Sequence, residues 1–351
     1  MFVTKRCIAV FGIVMLLLLL TACGRAPGTA GKDVGAPESL TVTVTDQLGR
    51  RVEVPRKIEK IGAIDHFEGH LVFALGQQDK LVHQALFNKL GAAMARVDEK
   101  FKAKPQMRQG REKISTETMA ALGPQVVFMN SSFDRTQLEQ FESAGLRVIG
   151  LKGETLEDSF DAVRLMAKVL GCEDRGAKYI VACENLLGMV KERLRDIPGD
   201  KRLKVMFAGP KNIYSVATGS MLQTSIIETA GGKNVAGHLT GYWADVSPEQ
   251  VANWNPDVIF LGSSLDTYGA DAIFNNPQLA QVKAVQEGRV YSFPSNIDWW
   301  DYPAPHHVLG AVWAAKTLYP DKFADIDMTK IADEFYTNYL GHSFTSLGGK
   351  L

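Results

Sequence analysis

From Thr41 onward the chain carries two kinds of apolar pattern. Thr41-Val-Thr-Val-Thr45 and Arg51-Val-Glu-Val54 alternate with period two around Asp46-Gln-Leu-Gly49, the pattern of a β-hairpin with a glycine in its turn, and Pro55 closes it. The spacing then predicts a buried strand over Lys60–Ile64, a helix over His66–Leu75 that stops at Gly76, and a further strand over Lys80–Gln84. Helical periodicity takes over from Glu154 to Leu194, with a break near Gly171 and a second segment from Asp174 to Arg195 that ends before Pro198. A helix of about 22 residues runs about 33 Å and reads as a rigid connector between two lobes. Beyond it strands are expected near Leu203–Ala208, Val258–Leu261 and Arg289–Phe293, and helices near Met221–Thr229, Pro305–Leu318 and Thr329–Tyr339. Such βα alternation implies parallel sheets covered by helices.

An internal repeat supports two related lobes. At an offset of 132, Ile114–Asp134 overlies Val246–Asp266 with nine of 21 pairs identical, among them Ser115/Ser247, Glu117/Glu249, Pro124/Pro256, Phe128/Phe260 and Asp134/Asp266. Each copy reads as a serine N-cap, a short helix, a proline that ends it, a four-residue apolar strand and a polar loop.

The first forty residues have a different character. Lys5-Arg6 precede fourteen apolar residues, Cys7–Leu20, which are too few to span a bilayer comfortably, and Leu20-Thr-Ala-Cys23 has the form of a bacterial lipoprotein cleavage site. The expected organisation is a signal peptide over 1–22 and a flexible tether over 23–40, with Cys23 lipidated. An N-terminal lobe over 41–172, a connecting helix over 173–197 and a C-terminal lobe over 198–351 follow. The 39 basic residues balance 39 acidic ones, and loss of Lys5 and Arg6 leaves the mature chain at about −2. Binding of nucleic acid therefore has no electrostatic basis, and membrane association falls to acyl chains. Cys172 and Cys183 lie eleven residues apart on one helical stretch, too far apart for a disulfide, and read as small apolar core residues.

The residues Thr43–Pro55 followed by Lys60-Ile61, Ser247–Phe260, Glu287-Gly-Arg-Val-Tyr291 and Trp300-Asp-Tyr-Pro-Ala-Pro305 together resemble the substrate-binding lipoproteins of bacterial ABC importers for iron chelates, haem and cobalamin. The resemblance spans roughly 41–325. It implies an α/β fold of two Rossmann-like lobes with parallel sheets, joined by one long α-helix, with a ligand cleft between them. The implied partners are a metal-chelate ligand and an ABC permease dimer with a cytoplasmic ATPase, and the implied place is the outer side of the cytoplasmic membrane. A molybdate or tungstate receptor of the same fold is the alternative. No catalytic residue, resident metal or cofactor is expected, since the chain lacks a nucleophile elbow, a zinc-protease motif and a phosphate loop.

Ligands of open α/β sheets sit beyond the carboxyl ends of the strands. That rule selects His66 and His70 after the first buried strand, Arg108 and Arg111 in a polar segment, Tyr242 and Trp243, and the loop bearing Trp299, Trp300 and Asp301. His66 either caps its helix or contacts ligand, and one of Trp299 and Trp300 either covers the core or faces the cleft. The arginines and Lys211 either lie on a solvated face or anchor an anion. His306-His307, at a helix start, read as surface or capping residues. The resemblance also implies an acidic residue on each lobe for permease docking; Asp134 and Asp266 are the repeat-related pair, which could equally be helix N-caps.

Cys23→Ser is expected to abolish incorporation of labelled palmitate and to release the protein from the membrane fraction. A variant that stayed labelled and membrane-bound would overturn the lipoprotein reading.

Overall fold

The computed structural model describes residues 40–86, 88–107, 114–130, 135–209, 211–263, 268–294, 296–304 and 306–351. Cys23, Arg108, Arg111, Asp134 and Asp266 lie outside them.

The hairpin forms as expected from β1 (Thr41–Thr45) and β2 (Arg51–Pro55), paired antiparallel with Val44 opposite Val52. Its turn is held by Asp46, whose carboxylate accepts from the backbone N–H groups of Leu48, Arg50 and Gly150. The turn is thereby docked on the first sheet. That sheet is wholly parallel, in the order β3 (Ile61–Ala63), β4 (Val126–Asn130), β5 (Val148–Leu151). Every residue of the three strands is buried, as a sheet with helices on both faces requires.

The second sheet contains β6 (Lys204–Ala208), β7 (Ser215–Val216), β8 (Lys233–Asn234), β9 (Ala244–Asp245), β10 (Val258–Leu261) and β11 (Val290–Ser292), ordered β11-β10-β6-β7-β9 with β8 also on β6. Its β6-β10-β11 portion is parallel and matches β3-β4-β5. Within the repeat, Ser115 and Ser247 both accept from the third following N–H and start the helices Thr116–Leu122 and Pro248–Trp254. The two helices end in left-handed residues, Gly123 (φ 65°) and Asn255 (φ 46°), before β4 and β10.

One expected strand is not a strand. Around Lys80–Gln84 the chain donates once to β3, from Val82 N–H to the Ile61 carbonyl, and then turns away so that Gln84 N–H meets Pro105. Its backbone is divided between two partners, so only isolated bridges remain.

The connecting helix runs Glu173–Leu194 and follows the helix Leu156–Leu170, which Gly171 ends with φ 67°. Gly176, Tyr179, Ile180, Cys183, Val190 and Leu194 form its buried stripe. Cys183 is a buried free thiol, as expected for a core residue, and Cys172 is half-buried. Arg175 donates from Nε to the Ala74 carbonyl at 2.8 Å and from Nη2 to the Tyr339 carbonyl at 2.7 Å. One guanidinium thus ties the connector to the helix His66–Ala74 and to the C-terminal helix Met328–Leu340.

The core follows strand alternation. Val126 and Phe128 of β4, and Val258 and Phe260 of β10, belong to one apolar cluster that also contains the buried face of the connector. Val127 and Met129, and Ile259 and Leu261, face smaller clusters private to each sheet. Among the described residues no helix is long and apolar enough to cross a membrane.

His83 is fully buried beside β3 and accepts a hydrogen bond on Nε2 from Ala63 N–H at 3.2 Å. An acceptor nitrogen must be unprotonated, and burial lowers the pKa from 6.5 to about 4. Since the unfolded chain takes up this proton first, the stabilising contribution is complete above pH 6.5 and is lost as pH falls from 6.5 toward 4. Over that window wild-type unfolding free energy should fall by about 3 kcal/mol more than that of His83→Gln, as read by urea denaturation at each pH.

Candidate functional site

The loops after β3, β5, β6, β10 and β11 converge at the carboxyl ends of the two sheets. Asp65 opens the helix His66–Ala74 with a capping box: its side chain takes Glu68 N–H, and Glu68 Oε2 accepts from Asp65 N–H at 2.8 Å. All nine helix residues are buried. His66 and His70 stand one turn apart on the same face, yet they reach different places. The His66 ring lies 5.4 Å from Trp299 and 6.2 Å from Tyr302, edge to face in both cases. His70 goes deeper, and its Nε2 lies 3.0 Å from Asp298 Oδ1. Burial holds Glu68 well above the ordinary carboxylate range, and the Asp65 charge adds to the effect.

The segment from Phe293 to His306 supplies most of the opposing wall. Trp300 is fully buried, donates from its indole N–H to the Tyr336 hydroxyl at 3.2 Å and packs 5.4 Å from Phe344. Trp299 is half-buried and faces His66. Asp301 is buried and accepts from Ser263 N–H at 2.9 Å and from the Ser263 hydroxyl, which anchors the loop to the end of β10. Burial pushes the Asp301 carboxyl up, against these hydrogen bonds. Tyr302 reaches across to the first lobe and donates to Asp65 Oδ2 at 3.3 Å. Desolvation, and then the Asp65 charge, keep its phenol protonated. Gly153, after β5, faces Phe67 and Pro303 so closely that an added Cβ would lie 3.0 Å from each.

Below this layer Asp298, only 2% exposed, sits between two imidazoles. His306 Nδ1 lies 3.1 Å from Asp298 Oδ2, which also accepts from the Tyr336 hydroxyl at 3.1 Å, while His306 Nε2 lies 3.1 Å from the Trp299 carbonyl. Burial by itself would raise the Asp298 pKa, but His306 and His70 overcome it and hold the carboxylate well below its usual range. His70 is lowered by burial, with Asp298 opposing.

His306 stands at the N-cap position that the sequence reading allowed, without a side-chain cap hydrogen bond, but neither it nor His307 is a surface residue. They are 5% and 0% exposed, because the helix His307–Leu318 is apolar on nearly every side and starts inside the molecule. Burial, reinforced by neighbouring His306, lowers His307 to about 3 and leaves it neutral.

Trp243 lies flat on Gly209 after β6, 6.4 Å from Phe207, and Tyr242 beside it is 57% exposed. Lys211 is exposed and paired with Asp245. Of the residues named from sequence, the structure gathers His66, His70, Trp299, Trp300 and Asp301 around the loop ends; all are buried except the half-buried Trp299. Trp243 and the exposed Tyr242 lie nearer the surface. Sequence reasoning did not single out Asp298, Tyr302 or Tyr336 as site residues, and it read His306 only as a surface or capping residue. A carboxylate and a phenol in an aromatic loop were the available signal for the first two; His306 and Tyr336 reach Asp298 only through the tertiary fold.

A family profile described as "Periplasmic binding protein" matches residues 64–297. The molybdate-binding protein MolA of Haemophilus influenzae is 27% identical over 86% of this chain and 91% of its own length. Its molybdate-bound structure superposes with a TM-score of 0.75 at 24% identity, covering 86% and 98% of the two chains, a likeness of fold. Two Bacillus subtilis proteins are also similar. The ABC transporter substrate-binding lipoprotein YvrC is 21% identical over 89% and 97% of the two chains, and the iron(3+)-hydroxamate-binding protein FhuD is 23% identical over 82% and 90%.

At Gly209 an added Cβ would fall 2.3 Å from the Trp243 ring. Gly209→Ala is therefore expected to displace that indole, with a shift in tryptophan emission and a loss of about 1–3 kcal/mol in stability by chemical denaturation.

Proposed function

Because the chain belongs to the periplasmic binding protein family of ABC transporters, we propose that it is a receptor without enzymatic turnover that captures a small tetrahedral oxyanion, molybdate or tungstate, and delivers it to a permease. The observation that carries this reading is the close approach of the two walls. Tyr302 bonds across to Asp65 at 3.3 Å and Trp299 stands 5.4 Å from His66, so a large flat chelate would have to part contacts that a compact anion can leave in place. The similarity to a molybdate-binding protein along most of both chains supports the same ligand class.

An anion at this site needs compensating cations, because the Asp65 charge lies beside it. Burial raises the Glu68 carboxyl, beside the first helix start, well above the ordinary carboxylate range, which lessens its charge. His66, buried beside Trp299, is proposed to turn a ring donor toward the anion. Arg108 and Arg111 are proposed as the compensating cations, since a guanidinium recognises oxyanions in two-pronged fashion. Attachment through Cys23 and docking through Asp134 and Asp266 belong to the same reading, with the receptor held outside the cytoplasmic membrane near its permease.

Titration calorimetry with molybdate, tungstate, sulfate, ferric hydroxamate, haem and cyanocobalamin tests the ligand class. Molybdate and tungstate are expected to bind, and His66→Ala or Arg108→Ala to weaken them about 10- to 150-fold, the loss of one charge-assisted hydrogen bond. Saturable binding of a coloured chelate without oxyanion binding would make the protein a metal-complex receptor instead. Charge reversal at Asp134 and Asp266 together is expected to abolish uptake in cells without altering affinity.

A further inference from the structure

We propose that His70, Asp298 and His306 bind one divalent transition-metal ion of the zinc class, in a buried site separate from the oxyanion cleft. The ion would be a fastening within the protein and not its cargo. One ligand atom from each residue lies within 4.8 Å of the others, and all three side chains are buried. Two imidazole nitrogens and a carboxylate form a donor set that suits zinc: His70 Nε2 lies 3.0 Å from Asp298 Oδ1 and His306 Nδ1 3.1 Å from Asp298 Oδ2, so the two imidazoles converge on one carboxylate.

A second observation is the space beside the cluster. A cavity of about 20 Å³ opens onto His70, Asp298, His306, Tyr179 and Tyr336, enough for one water or ion. The surroundings also match an outer shell. His306 presents Nδ1 to the cluster while Nε2 meets the Trp299 carbonyl, the type of contact that orients a coordinating imidazole. The Tyr336 hydroxyl donates to Asp298 and is itself held by the Trp300 indole. Both nitrogens of His306 face acceptors, so an ion on Nδ1 would replace one proton and leave the other in its hydrogen bond. The donors come from the first helix and from the segment around Trp299 and Tyr302, so an ion here would clamp together the two walls that shape the cleft.

The test uses tag-free protein stripped with a chelator and then dialysed against Zn²⁺ or Co²⁺. Elemental analysis should give one equivalent per chain, thermal denaturation a midpoint several degrees higher, and Co²⁺ the intense visible absorption of a four-coordinate site. His70→Gln and His306→Gln should each weaken Co²⁺ binding by about a hundredfold or more. No uptake by wild type, or uptake unchanged in both variants, overturns the proposal in favour of a purely hydrogen-bonded triad. If the variants do not fold, the wild-type Co²⁺ spectrum decides, and a weak octahedral spectrum overturns it. Molybdate titration of the same stripped protein separates the two readings, because oxyanion binding without zinc uptake removes only this one.

Discussion

A carboxylate that is 2% exposed cannot stand alone, and the arrangement of the candidate site follows from how Asp298 is compensated. Taking an ion out of water costs several kcal/mol, which only well-placed partners offset. Here they are His70, His306 and Tyr336, drawn from the first helix, the start of the penultimate helix and the C-terminal helix. Removing one of them would leave a buried charge under-compensated, a far larger penalty than loss of a surface ion pair. The segment that carries Trp299 and Tyr302 is therefore pinned from below. Its aromatic face is presented to His66 in one position, and the dimensions of the approach are set by chemistry a layer beneath it.

The apolar framework points to the same rigidity. In β4, β6 and β10 alternate residues face a common cluster that passes through the connecting helix, while their neighbours face private clusters. Opening the molecule about the connector would expose that common cluster and break both Arg175 hydrogen bonds. Burial stabilises at about 25 cal/mol per Å² of apolar surface, so even a modest opening of some 200 Å² would cost about 5 kcal/mol. Ligand entry is better served by movement of exposed side chains such as Tyr242 than by hinge closure of whole lobes.

What could be read from the chain beforehand was whatever local pattern controls. The hairpin, the break at Gly171, the connector and the paired serine caps depend on period, on turn residues or on the offset repeat, and they are present within a residue or two of expectation. The segment Lys80–Gln84 was less legible because its apolar residues suited a strand while its backbone partners lay in two unrelated places. The buried positions of His306 and His307 were illegible for a related reason. Polar side chains at a helix start normally face water, and only the compensating Asp298 and the surrounding apolar helices make their burial tolerable. Trp299 and Trp300 show the limit most directly. Adjacent in sequence and alike in chemistry, they point to opposite sides of one loop, and which of them meets the cleft depends on Tyr336 and Phe344.

The repeat also explains why the site is lopsided. β5 and β11 occupy equivalent places in the two sheets, but the chain leaves β5 through only Lys152–Glu154 before the next helix is capped by Thr155, whereas it leaves β11 through the whole Phe293–His306 segment. The long segment lies over the first lobe where its counterpart is short and carries Gly153, at which a Cβ would come within a tight 3.0 Å of Phe67 and Pro303. Duplicated strands thus supply a symmetric platform, and one extended loop supplies the aromatic wall, the interlobe hydrogen bond and the buried carboxylate together. Changes of ligand specificity within such a platform would then concentrate in that loop and in the first helix it touches, since the strands beneath serve both lobes' packing and tolerate little substitution.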